Sequence, residues 1–369
     1  MEVAYFYLLP MTDLYTNLIK RSLFRLPAET AHNLGIAALR VGLGTRAART
    51  IAERRFGFDS PETLQRFGLK FNNPLGMAAG FDKNGVVVDQ LAAIGFGFVE
   101  VGTVTFRPQK GNDKPRLFRL PEDNALINRL GFNNDGANVV AERLRRIDRN
   151  CVVGVNIGKN RDVPIEEATE NYLASFEFIH DVADYIAINV SSPNTPNLRE
   201  MQNADNLEFL LSTLKQRNTE LGAKPLLVKI APDLSGQEIE QIADTCMSVK
   251  IDGVIATNTT IERSGLHSKN VDAIGAGGLS GKPVAELSNR VISKIYKHSK
   301  GVLPIIGVGG IFTGDDAFEK IAAGASLVQA YTGFIYNGPS FAGTVNEGLQ
   351  RRLEKEGLRS VDGAIGCNS

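Results

Sequence analysis

From about residue 70 onward, short apolar runs alternate with longer stretches of helical spacing, and there are eight such runs: "NPLGMAA", "FGFVEVGT", "CVVGVNIG", "YIAINVSS", "PLLVKIAP", "DGVIATNT", "PIIGVGG" and "SLVQAYTG". Residues that are apolar in succession, not in alternation, suit strands buried on both faces, as in a parallel sheet. The stretches between them, such as "NLEFLLSTLKQRNTEL" and "GDDAFEKIAAGA", repeat apolar residues at helical spacing. Eight strands separated by helices over about 270 residues predict an α/β fold, the (β/α)8 or TIM barrel, whose chemistry gathers at the C-terminal ends of the strands. An open doubly wound sheet is the other arrangement that such alternation allows.

Two intervals are too long for simple connections. Residues 104–135 contain "RLFRL" and "ALINR" split by "PED", which predicts a small hairpin insertion over the barrel mouth. Residues 259–283 are rich in glycine and predict a mobile flap. Residues 1–57 form a separate unit ahead of a barrel domain at 58–369. In it Asp13 can cap a helix bearing Leu14, Tyr15, Leu18, Ile19 and Leu23, and Pro27 opens a second helix, "PAETAHNLGIAALRVGL". This unit holds eight Lys and Arg (Lys20, Arg21, Arg25, Arg40, Arg46, Arg49, Arg54, Arg55) against four acids (Glu2, Asp13, Glu29, Glu53), a net of +4. Two basic amphipathic helices fit a cap docked on the barrel, and equally a pair lying on an anionic membrane surface. The opening "MEVAYFYLLPM" is too short to span a bilayer, which takes roughly 20 apolar residues, and it lacks the basic start and cleavage site of a secretory signal.

Overall the chain balances 41 basic against 41 acidic residues, which gives no reason to expect nucleic acid as a partner. Cys151, Cys246 and Cys367 are far apart, as suits a reducing compartment rather than a disulfide framework. His32, His180, His267 and His298 are dispersed and no zinc-type spacing occurs, so no metal site is expected.

The residues that close each apolar run are Ala79–Gly80, Thr103, Asn156, Asn189 with Ser191 and Ser192, Lys229, Thr257–Asn258, Gly309–Gly310 and Tyr331–Thr332. In a barrel these positions converge on one mouth. Asn156, Asn189 and Asn258, with Asn128, Asn133 and Asn194 from the loops, supply both donors and acceptors, as a pyrimidine dione or a flavin would require. A lysine inside "LLVKI" is costly to bury without an anion, which could be a ligand or a carboxylate of the protein. The glycines of "GGLSGKP", "GVGGIF" and "YTG" bring backbone N–H groups to the place where barrels commonly hold phosphate, and they match neither a P-loop nor a dinucleotide fingerprint. In "NVSSPNTPNLR", Ser192 lacks the GxSxG setting of a hydrolase nucleophile. It could serve as a general base if its loop helped it, since an unassisted hydroxyl is a poor one.

Together "AAGFDKNG", "GFGFVEVGTVT", "RLFRLPED", "INRLGFNN", "NVSSPNTPNLR", "VKIAPD", "ATNTT" and "GVGGI" resemble the class 2, quinone-dependent dihydroorotate dehydrogenases from about Leu14 to Glu347. The resemblance implies one FMN per chain and oxidation of (S)-dihydroorotate to orotate in pyrimidine biosynthesis, the electrons passing to a membrane quinone. It implies that Ser192 is the base that takes the C5 proton while a hydride leaves C6 for the flavin. Class 1 relatives place a cysteine there, and none of this chain's three cysteines lies in the motif.

For substrate the resemblance implies Lys83, Asn128, Arg129, Leu130, Gly131, Phe132, Asn189, Asn194, Asn258 and Thr259, with Lys83 meeting the carboxylate. For FMN it implies Ala79, Gly80, Lys83, Thr103, Asn156, Asn189, Lys229, Thr257, Gly281, Gly310, Tyr331 and Thr332, with Lys229 stabilising the reduced flavin. His32, Arg119 and Tyr331 fall where the family lines a quinone tunnel formed by its N-terminal helices. That favours membrane contact for residues 1–57, in a monomer bound peripherally to the cytoplasmic face of the cell membrane. The alternatives are an FMN barrel using fumarate or a nicotinamide, and a flavin-binding module without catalysis.

Overall fold

In the computed structural model, which describes residues 15–58 and 63–369, the eight apolar runs form eight parallel strands. They are Leu75–Met77, Phe98–Val104, Val152–Ile157, Tyr185–Asn189, Leu226–Ile230, Gly253–Ala256, Ile305–Val308 and Leu327–Ala330. Each pairs with the next, and the eighth returns to the first with Val328 opposite Leu75, so the ring closes as a barrel and the open sheet is excluded. Every residue of the second to sixth strands is buried. Strands covered by helices outside and by side chains inside have no solvent face, which is why their sequences do not alternate.

The surrounding helices bury one stripe each. Ala204–Glu220 turns Leu207, Leu210, Leu211 and Leu214 inward, a spacing of three and four residues. Capping boxes at Ser235 with Glu238 and at Thr313 with Asp316 satisfy the first N–H groups of Gly236–Ser248 and Gly314–Ala322. A hairpin, Leu64–Arg66 with Leu69–Phe71, closes the N-terminal end of the barrel, where Phe71 packs edge-on against Phe98 at 5.2 Å.

Over the opposite end lies an antiparallel sheet of three strands. The expected hairpin is there, Leu117–Leu120 and Ala125–Asn128, and its third strand is Gly278–Gly281. The segment expected as a flap therefore contributes a strand, and the short helix Val271–Ile274 as well. The Asp123 carboxylate fastens it to the hairpin by accepting the N–H groups of His267 (2.7 Å) and Ser268 (3.0 Å).

The N-terminal unit has one more helix than the two expected. Helical turns Tyr15–Ile19 and Lys20–Leu23 lead to Ala28–Gly42, and then Arg46–Phe56 follows. Arg46–Phe56 carries four arginines and a short apolar face: Ala52 and Phe56 pack on the core, and Arg46 and Arg49 reach Asp148 at 2.9 and 2.6 Å. Asp13, Leu14 and "MEVAYFYLLPM" lie outside the described residues. The unit docks beside the cap through Tyr15, whose hydroxyl donates to Ile335 O at 2.7 Å, and through Phe24, edge-on to Tyr336. Glu29 pairs with Arg116 at 2.7 Å. Ala28–Gly42 has no fully buried residue, and Leu34, Val41 and Ile51 are 49, 84 and 67 % exposed, an apolar surface left facing outward.

Candidate active site

The C-terminal strand ends and the cap sheet enclose a cavity with about 1090 Å³ of empty space, its open mouth included. Every strand contributes at its end or in the loop that follows, except the third, whose Asn156 lies one layer below.

One wall is polar and holds the serine loop. Asn189 ends its strand and donates from Nδ2 to Thr103 Oγ1 (2.9 Å) and Asn156 Oδ1 (3.1 Å), while its Oδ1 accepts from the Ser191 N–H and hydroxyl. Asn258 crosses to Ser191 Oγ at 2.9 Å, and Asn194 reaches Asn128 Oδ1 at 3.2 Å. Those bonds fix the loop from three sides. Ser192, 5 % exposed, faces the cavity, and its Oγ accepts the N–H of Asn194 at 3.2 Å. A donor aimed at Oγ favours the oxygen that has given up its proton, which is the help a hydroxyl base needs. Thr195 Oγ1, in the same loop, is buried without a partner.

Lys83, from the loop after the first strand, also lines the cavity. Burial lowers its ammonium to about 8; the Glu29 carboxylate opposes that fall and the Arg116 guanidinium adds to it. Leu130, Gly131 and Phe132 face it from the stretch beyond the hairpin. Arg129 does not line the cavity. Its guanidinium holds the carbonyls of Ile274 (2.5 Å) and Ala276 (2.9 Å) and stacks over Phe118, so it ties the former flap to the hairpin.

At the barrel centre Lys229 Nζ lies 3.3 Å from the Glu100 carboxylate, and both groups are buried. Of the two anions that the sequence left open, the protein thus supplies one, while Lys229 also lines the cavity. Glu100 gathers Asn156 Nδ2 (2.9 Å), the Tyr185 hydroxyl (3.0 Å) and Gln329 Nε2 (2.8 Å) as well. Glu100 and Gln329 do not stand out among the strand-end residues, since both lie inside their apolar runs. The signal was a charged and a polar residue within "FVEVG" and "LVQAY", where neighbours are apolar.

The remaining wall is glycine. Gly310 has φ +78°, and a Cβ there would meet Ala285 Cβ at 2.4 Å; Gly281 has φ +104°, and its Cβ would meet Asn124 O at 2.3 Å. Only glycine fits, and the missing side chains leave backbone exposed to a ligand. Gly309, Gly310, Thr332 and Gly333 meet on this side, and Tyr331 and Ala79–Gly80 stand next to it. Thr257 Oγ1 and Gln329 Oε1 line the cavity, buried and without partners.

His32 and Arg119 stand outside the cavity lining. His32 packs edge-on to Phe81, 5.2 Å between centroids, and Phe81 in turn touches Tyr331 and Phe334 edge-on. An aromatic chain thus leads from the helix Ala28–Gly42 to the cavity. Burial pushes the His32 imidazole down to about 3, so the ring is neutral at physiological pH. Arg119 stacks on Phe24 and donates to the carbonyls of Phe24 and Leu26, holding the end of the first helical turns.

A closed barrel with a glycine-lined end, orphaned polar atoms beside a buried lysine, and a serine held by asparagines place the site where enzymes of the (β/α)8 class carry theirs, at the C-terminal strand ends. Comparison with known proteins narrows this further. The family model described as dihydroorotate dehydrogenase matches residues 63–353. A "Dihydroorotate dehydrogenase (quinone)" of Roseiflexus sp. is 48 % identical over 359 residues, 96 % of this chain and 99 % of the relative. One of Gloeobacter violaceus is 49 % identical over 356 residues, with the same two shares. Among solved structures, DHODH of Eimeria tenella in complex with ferulenol superposes with a TM-score of 0.83 at 39 % identity, covering 92 % of this chain and 95 % of that one. This chain belongs to the dihydroorotate dehydrogenase family.

Proposed function

We propose that this protein oxidises dihydroorotate to orotate in pyrimidine biosynthesis and passes the electrons, by way of FMN, to a quinone. The cavity has the donor set FMN needs: the glycine end for its phosphate, and Thr103, Lys229, Thr257 and Gln329 for the ring, two of them with unsatisfied oxygens. Ala79, Gly80, Asn189, Gly281, Gly310, Tyr331 and Thr332 would complete the contacts, and Asn156 would act from beneath by orienting Thr103 and Asn189. FMN supplies, when bound, a two-electron acceptor that can serve both substrates in turn.

The chain's own residues do the rest. Oxidation forms the C5=C6 double bond by loss of a proton from C5 and a hydride from C6. Ser192 Oγ takes the C5 proton, with the Asn194 N–H stabilising the oxygen as its own proton leaves. As Oγ takes the C5 proton its own hydroxyl proton must pass on to solvent, so the step needs a proton path out of the serine loop. Lys83 pairs with the substrate carboxylate, and Asn128, Asn194, Asn258 and Thr259 hold the ring edges. The cap sheet lies over the mouth and lines it with Leu117, Leu126, Asn128 and Ser280.

The quinone would approach along the aromatic chain from His32 through Phe81 to Tyr331, with Arg119 at its outer edge. No helix among the described residues is long and apolar enough to cross a membrane. The exposed Leu34, Val41 and Ile51 beside the basic residues of 1–57 support attachment to a membrane surface; attachment at the cytoplasmic face, as a monomer, belongs to the same proposal. Residues 58–369 would then form the catalytic unit.

The observation that carries this reading is Ser192, buried and facing the same cavity as Lys83 and the glycine end. Ser192→Ala should keep FMN and bind orotate, yet reduce flavin about 10²–10⁴-fold more slowly in anaerobic stopped flow, the usual worth of a general base. Reduction at the wild-type rate would remove Ser192 from the mechanism.

A further inference from the structure

Lys320 is a buried cation that the reaction above does not use. It lies on the helix Gly314–Ala322, 1 % exposed, with its alkyl chain under the seventh barrel strand. Gly307 makes the room: a Cβ there would fall 2.6 Å from Lys320 Cγ. The ammonium donates to Ser288 Oγ (3.1 Å) and Asn289 Oδ1 (2.7 Å), both neutral and both from Ala285–His298. The acid nearest it on its own helix, Asp316, is bonded to Lys282 at 2.6 Å and to its own helix cap. Lys320 therefore has neutral partners where a buried ammonium normally has a carboxylate. Burial brings it down to about 7, against a pull upward from Asp316.

What lies in front of it is the glycine end of the cavity. Ser288 Oγ accepts from Lys320 and donates to Val308 O at 2.6 Å, and the same carbonyl takes the Thr257 N–H at 3.0 Å. Val308 O shares a trans, planar peptide with the Gly309 N–H, and the two point in opposite directions. Fixing the carbonyl towards Ser288 and Thr257 aims the Gly309 N–H away from them, on the side where Gly309 and Gly310 border the cavity. Ser288 also packs against Gly309, its Cβ 3.3 Å from the place a glycine Cβ would take.

We propose that Lys320 is a positioning residue for the phosphate of the flavin nucleotide, holding the Val308–Gly309 peptide through Ser288 and supplying positive charge behind the glycine end of the cavity. The inference rests on the FMN reading above. A phosphate dianion provides the counter-charge that the protein withholds, and its arrival favours the protonated lysine.

Full-length protein stripped of flavin and titrated with FMN and with riboflavin, followed by quenching of flavin fluorescence, tests it. Lys320→Met keeps the length and removes the charge. It should weaken FMN at least about tenfold, the worth of one charge-assisted hydrogen bond, and change riboflavin by less than about twofold. Ser288→Ala should act in the same direction with a smaller effect. In wild type the preference for FMN over riboflavin should fall as pH rises above about 7, where the phosphate is already dianionic, and in Lys320→Met it should be flat. Equal weakening of both flavins, or none, would overturn the proposal. If Lys320→Met does not fold, Ser288→Ala and the wild-type pH dependence decide by the same criteria. Wild-type protein that binds riboflavin as tightly as FMN would instead remove the phosphate reading itself.

Discussion

Lys83 lines the cavity, and the proposed function gives it the substrate carboxylate; its ammonium is lowered to about 8 chiefly by burial. The sign of its effect on substrate follows directly. Below about 8 the cation is present to meet a carboxylate that stays ionised, and above it the cation is lost. The KM for dihydroorotate is therefore expected to be flat up to about pH 8 and to rise beyond it, with kcat changing far less. Lys83→Met should show a high KM without that rise, and an unchanged pH profile in the variant would assign the titration elsewhere. Residues of this kind were legible in the sequence because each ends an apolar run: Ser192, Asn189, Lys229 and Thr257 stand where a buried strand should give way to a turn. Glu100 was not read, because a single acid amid "FVEVG" says nothing of the lysine, tyrosine and glutamine that three other strands bring to it. Arg129 shows the converse: it lies within a motif that faces the cavity, and its own side chain turns to the carbonyls of Ile274 and Ala276.

Among elements, the helix Ala28–Gly42 and the loop before the cap hairpin are joined by one nearly buried ion pair. Arg116 bonds Glu29 at 2.7 Å and gathers the carbonyls of Lys110 (2.6 Å) and Asn112 (2.8 Å). Asn112 then reaches Arg129 O and Asn194 O, the latter in the serine loop. Arg116→Met leaves Glu29 with only the more exposed Lys114, 3.6 Å away, at a cost of up to about 3 kcal/mol. Faster hydrogen exchange is expected in 28–42 and 107–114 with the barrel strands unchanged, and uniform exchange across all three would contradict this coupling. The eight barrel strands could be read because burial on both faces leaves a continuous apolar run. The closing hairpin could not: its strands are three residues long, and its turn depends on Phe67 and Gly68 at φ 53° and 74°. Gly278–Gly281, "GLSG", has no strand propensity of its own and becomes one by pairing with Ala125–Asn128. Arg46–Phe56 was missed since its apolar face is little more than Ala52 and Phe56 among four arginines.

At the scale of the whole molecule, the proposed function asks the cavity at the end of one closed ring of strands to serve two substrates. Dihydroorotate would enter beside the cap, and the aromatic chain from His32 would admit quinone from the N-terminal helices. If those helices lie on lipid, replacing the exposed Leu34, Val41 and Ile51 by Glu should abolish flotation with anionic vesicles and slow turnover with a long-chain quinone. Anaerobic flavin reduction by dihydroorotate should stay at its wild-type rate. Vesicle binding that survives all three replacements would place the membrane contact elsewhere. The charge balance of the complete chain hides this asymmetry, which becomes visible only when residues 1–57 are counted apart.

The most direct test of the central claim is the visible spectrum of the purified protein under anaerobic conditions, before and after dihydroorotate and then with a short-chain quinone added. The expected result is a flavin spectrum that bleaches with dihydroorotate and returns with quinone. Recovery with fumarate or a nicotinamide but not with quinone would contradict the acceptor, and a flavin that dihydroorotate leaves oxidised would contradict the reaction itself.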